Sequence, residues 1–109
     1  MTERTPAELD LATRRMVLDD LDLDLLELIV RRRALVAELF EHKRAAGLPL
    51  LDPERERALL AARRAAAERL GMPADLAERI FQIILEGSHA QAGVDCGRAE
   101  PGAPEEEQP

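Results

Sequence analysis

The chain has 109 residues, 46% hydrophobic, 2% aromatic and 34% charged, with 15 basic against 22 acidic side chains and a net charge of −7. That is enough for one domain, and the acidic balance weighs against a nucleic-acid partner, since phosphate is repelled unless cations cluster. Arg31-Arg32-Arg33 is such a run, but on a helix three successive residues point in three directions and form no continuous basic surface.

The opening Met1-Thr2-Glu3-Arg4-Thr5-Pro6 has no apolar core and is not expected to be a signal peptide. Thr5-Pro6-Ala7-Glu8 matches a capping box with proline at the first helical position. From there to about Lys43 neither proline nor glycine intervenes and the apolar period stays near three to four, so one helix is predicted, ended by Gly47-Leu48-Pro49. At ~1.5 Å per residue it is on the order of 55 Å long, more than a protomer this small can cover, and an intertwined homodimer is expected. Asp52-Pro53-Glu54 opens a second helix with an aspartate cap, proline next and an acid in the first turn; it runs through Ala-rich sequence to Leu70 and stops at Gly71. Pro73 opens a third, with Leu76, Ile80, Phe81, Ile83 and Ile84 apolar, reaching about Ala92. The fold class is all-α: three helices, the first very long. Residues 1–92 are read as the domain and 93–109 as a disordered acidic tail of Gly, Pro and Glu. The single Cys96 lies in that tail, and two distant histidines complete no metal-ligand pattern, so neither metal nor cofactor is expected. With no apolar run near the ~20 residues that span a bilayer, the chain reads as cytoplasmic and membrane-free.

The first helix carries a leucine stripe at Leu18, Leu21, Leu25, Leu28, Leu35 and Leu39, whose gap is filled by Arg32 and which continues to Lys43; backwards it passes through Arg15 to Leu11. Burying such cations unpaired costs several kcal/mol. With no acid on the stripe, a bound anion is the natural counter-charge. The second helix start offers Asp52, Arg55 and Glu56; Arg55 shares a face with Leu59 and Arg63, and Glu56 with Leu59 and Leu60. On the third, Phe81, Ile84, Ser88 and Gln91 fall on one face, as if the Ser and Gln prolonged an apolar stripe inward. The set is rich in fixed donors and cations and lacks a nucleophile–base pair or a Gly-rich phosphate loop. Such a site binds a compact polyanion and stabilises charge rather than doing covalent work.

The order Arg15, Arg32, Lys43, Asp52, Arg55, Glu56, Ser88 closely resembles the all-α class of chorismate mutases, with matching strings Leu21-Asp22, Leu25-Leu26, Arg32-Arg33, Asp52-Pro53-Glu54-Arg55-Glu56-Arg57 and Arg79 to Ser88. The resemblance covers roughly residues 11–91, without a gap between Arg15 and Ser88. It implies interlocked protomers in which Arg15 enters the partner's site and, with Arg32, holds the two substrate carboxylates. Lys43 contacts a carboxylate and the ether oxygen, Glu56 and the Asp52 region hold the ring hydroxyl, and Arg55 and Ser88 complete the polar lining. The implied reaction is the concerted, cofactor-free rearrangement of chorismate to prephenate, and a partner enzyme of the same pathway is compatible with it.

One position departs from the family. Where a Gln or Glu donor is usual, one turn after the serine, this chain has Ala92; Gln91 lies three residues after Ser88 and is expected to replace that donor if the helix end shifts or tightens. The rival readings are an isochorismate-pyruvate lyase, against which Glu56 speaks, a 4-amino-4-deoxychorismate mutase, and a catalytically silent helical dimerisation or regulatory module, which has no need of Lys43. Taken singly, Lys43 is also a favourable charge at a helix end, Asp52 an N-cap and Ser88 a neutral filler. His42 and His89 receive no role, and His89, beside Ser88, is expected to face solvent.

Overall fold

The computed structural model describes residues 3–93. Three helices follow in order: α1 (Pro6–Ala45), α2 (Pro53–Leu70) and α3 (Ala74–Gln91). Among the described residues there is no strand, and the all-α class is as expected. Of the proposed acidic tail, 93–109, all but Gly93 lies outside the described residues. The chain divides into two compact units, and the division falls within α1, between Leu35 and Val36.

In the first unit the capping box forms. The Glu8 amide donates to Thr5 Oγ1 at 3.1 Å and the Thr5 amide to Glu8 Oε1 at 2.7 Å, meeting two of the orphan donors of the helix start. Arg14 and Asp10 pair one turn apart. The leucine stripe is exposed, Leu18 by 58% and Leu25 by 57%. A second apolar row on the opposite side of α1, Leu23, Leu26 and Val30, lines an open groove with Glu27 and Arg31. Two apolar faces on one exposed helix are the pattern of a helix built to be buried on more than one side. Arg32 is half-buried between the exposed Arg31 and Arg33.

The second unit holds the core. Phe40 of α1, Leu59 and Ala67 of α2, and Ala77, Leu85 and Ser88 of α3 are buried, together with Ala92 beyond the helix end. Small side chains contribute to this core, with Ala67 of α2 and Ala77 of α3 among its buried residues. Arg64 of α2 fastens the pair by bonding Asp75 and Glu78 of α3, each at 2.7 Å. The bonds from Asp75 and then Glu78 hold its guanidinium even further above its ordinary range. Arg63 lies over the Phe81 ring, 5.2 Å from its centre.

Both turns in this unit are closed by glycine in the left-handed conformation, Gly47 at φ 71° and Gly71 at φ 79°. After α1, the Leu48 amide reaches back to the Lys43 carbonyl at 2.9 Å; after α2, the Met72 amide reaches the Ala67 carbonyl at 2.9 Å. This six-to-one bond needs a residue at positive φ, which glycine adopts without steric penalty. Asp52 caps α2 by accepting from the Arg55 amide at 3.1 Å, with Pro53 in the first turn.

Candidate functional site

The loop between α1 and α2 shapes the first part of the site. Lys43, Leu48, Pro49, Leu51, Asp52 and Pro53 surround an open hollow of about 350 Å³, in the size range of small-ligand sites. Lys43 sits in the last turn of α1, its stem near the Phe40 ring and its Nζ 6.0 Å from the ring centre. Its ammonium donates to the Leu50 carbonyl at 3.0 Å. One cation thus ties the α1 end to the loop while lining the hollow. Its ordinary role at the dipole's negative end and its place in a site are compatible.

The second part lies where α2 meets α3. Glu56, one turn into α2, is half-buried, on the same face as buried Leu59 and half-buried Leu60, as the spacing predicted. Arg55, beside it, is exposed, although Leu59 and the half-buried Arg63 continue its row. Ser88 of α3 is buried and its hydroxyl donates to the Ile84 carbonyl at 3.2 Å. Phe81, Ile84 and Gln91 are half-buried on the same side.

The end of α3 tightens, but past Gln91. The Ala92 amide is shared between the Ser88 carbonyl at 3.0 Å and the His89 carbonyl at 3.1 Å, and the Gly93 amide goes to Ala90 at 3.1 Å. Those shorter-range bonds mark a 3₁₀-like last turn. Gln91 itself remains the last α-helical residue, while Ala92, at the position where the resemblance implies a donor, is buried.

His89 overturns its expectation. It does not face solvent: its Nε2 lies 2.7 Å from Glu56 Oε2, and only 19% of the histidine side chain and 25% of the glutamate side chain are exposed. The contact joins residues 33 apart in sequence. A usable sequence signal was present, since His89 follows buried Leu85 by four residues and so flanks the inward face of α3.

Arg15 and Arg32 belong to the first unit. Arg15 is exposed and lines an open hollow with Arg4, Glu8, Leu11 and Ala12; Arg32 is half-buried. Among the described residues no group of three or more His, Cys, Asp or Glu side chains could hold a metal ion, and no helix is long and apolar enough to cross a membrane. The second unit therefore offers an ammonium at a loop hollow and a carboxylate, an imidazole and a hydroxyl at the α2–α3 contact. Groups of this chemistry are able to hold polar atoms by hydrogen bonds and charge.

Comparison with known proteins shows the family to which the chain is similar. The family described as chorismate mutase type II matches residues 14–92. A T-protein of Enterobacter agglomerans is 42% identical over 80 residues, which are 73% of this chain and 21% of that protein. A T-protein of Haemophilus influenzae is 41% identical over 76 residues, 70% of this chain and 20% of its own length. A chorismate mutase of Methanocaldococcus jannaschii is 32% identical over 80 residues, 73% of this chain and 81% of that protein. The chain thus spans about a fifth of the length of the T-proteins it matches. No solved structure gives a significant match.

Proposed function

The chain belongs to the chorismate mutase type II family, and on that premise we propose that it rearranges chorismate to prephenate. The observation that carries the reading is the family match over residues 14–92, which takes in Arg15, Arg32, Lys43, Asp52, Arg55, Glu56, Ser88 and Gln91 in one stretch. In this reading Arg32, and Arg15 from a partner protomer, hold the substrate carboxylates. Lys43 meets a carboxylate and the ether oxygen, Glu56 and Asp52 take the ring hydroxyl, Arg55 and Ser88 line the site, and Gln91 stands in for the usual donor.

The chemistry suits such residues. The reaction needs the compact conformer of the substrate, and negative charge grows on the ether oxygen as its bond breaks. A pre-aimed ammonium and fixed hydrogen-bond partners supply positioning and charge stabilisation without nucleophile or cofactor. A homodimer is part of the proposal: the exposed leucines of α1 and its second apolar row support a partner chain along that helix. A cytoplasmic setting goes with the reading. So does a pathway enzyme as partner, supported by a relative from Buchnera aphidicola, 29% identical, that is a bifunctional chorismate mutase/prephenate dehydratase.

The test is a product assay with chorismate and, separately, isochorismate, resolved by chromatography. Prephenate from chorismate is expected. Pyruvate with salicylate from isochorismate, and no prephenate, would replace the mutase by the lyase.

A further inference from the structure

We infer that His89 is a positioning residue for Glu56, holding one carboxylate oxygen so that the other is presented to the substrate's ring hydroxyl. The inference rests on the chorismate reading of the site and adds a residue to it. The geometry is specific. His89 Nε2 and Glu56 Oε2 are 2.7 Å apart across the α2–α3 contact, with three-quarters or more of each side chain covered. Glu56 Oε1 has no partner among the described residues.

A carboxylate is acceptor-only, so in this pair the imidazole nitrogen donates. Such a charge-assisted bond is short and roughly twice as strong as a neutral one, which fixes the rotamer of a glutamate that otherwise has three torsions to sample. The backbone on both sides is equally fixed. Glu56 is anchored in the first turns of α2, its amide bonded to the Asp52 carbonyl at 3.0 Å. His89 follows Ser88, whose buried hydroxyl is tied to its own helix. A ring hydroxyl meeting this glutamate finds its acceptor already aimed, and the ordering entropy is spent in folding rather than in binding.

The test has two arms. The chain has two histidines, and His42 is exposed, so ring ¹⁵N spectra contain a built-in reference. Glu56→Ala is expected to shift the His89 Nε2 resonance and leave His42 in place; an unmoved His89 would overturn the contact without any substrate. In the second arm His89→Leu is expected to lower kcat/KM for chorismate about tenfold or more, the scale of losing a hydrogen bond to a charged group. His89→Gln, with an amide N–H at similar reach, is expected to recover most of the loss. In a Glu56→Ala background His89→Leu is expected to change nothing further. Equal losses in the Leu and Gln variants, or losses that multiply in the double variant, would show that His89 does not act through Glu56. A wild-type chain that makes no prephenate would remove the premise and this role with it; a Glu56–His89 contact still present in the spectra would then locate the error in the substrate, not in the geometry.

Discussion

Lys43 offers the sharpest perturbation, because it has a structural and a proposed chemical job that can be separated. Its Nζ bonds the Leu50 carbonyl at 3.0 Å and lies 6.0 Å from the centre of the Phe40 ring. Lys43→Met keeps an apolar stem of similar length beside buried Phe40 and removes only the ammonium. The structural loss is one hydrogen bond from a charged donor to a half-exposed carbonyl, about 1.5 kcal/mol at the low end of its class. Against a domain stability of roughly 5–15 kcal/mol, that leaves the folded state dominant. The chemical loss is of another size. Removing a donor aimed at developing charge costs about 3 kcal/mol, and at about 1.4 kcal/mol per decade this is more than a hundredfold in turnover. The expected outcome is a modest fall in denaturant midpoint with kcat/KM for prephenate formation down by about two orders of magnitude, and Lys43→Arg in between. Turnover within about threefold of wild type in Lys43→Met, with the destabilisation present, would reduce Lys43 to a loop anchor and refute its placement at the ether oxygen.

Asp52→Ala removes the oxygen that accepts from the Arg55 amide and is expected to cost about 1 kcal/mol, seen as a thermal midpoint lowered by about 4 °C or more; no change would show that Pro53 starts α2 without the cap. Leu59→Ala, at a side chain 6% exposed, is expected to lose about 3 kcal/mol in urea unfolding. A loss under 1 kcal/mol would mean that α2–α3 packing is not the main source of stability. Gln91→Ala is expected to lower turnover severalfold with little change in stability, since Gln91 is half-buried at the helix end. Unchanged turnover would end its role as a substitute donor.

Much of the architecture is legible in the amino-acid order because its signals are local. The Thr5–Glu8 box, the Asp52 cap with Pro53, and the glycines at 47 and 71 act within about four residues of themselves, and each helix begins and ends within a few residues of its expected bounds. Helical periodicity likewise places Leu59, Glu56 and Ser88 on covered faces, since 3.6 residues per turn fixes which side chains share a side. The candidate set Arg15, Arg32, Lys43, Asp52, Arg55, Glu56 and Ser88 comes from the family resemblance, which spacing alone does not supply. What periodicity cannot give is which face of one helix meets which face of another. The Glu56–His89 bond, the grip of Arg64 on Asp75 and Glu78, and the reach of Lys43 to the Leu50 carbonyl depend on how far each helix is rotated and where the chain turns back. His89 shows the difference. As a sequence position it is an unclaimed histidine at the edge of a helical face; packed against α2 it becomes the partner of Glu56, because only the tertiary fold sets the distance between them.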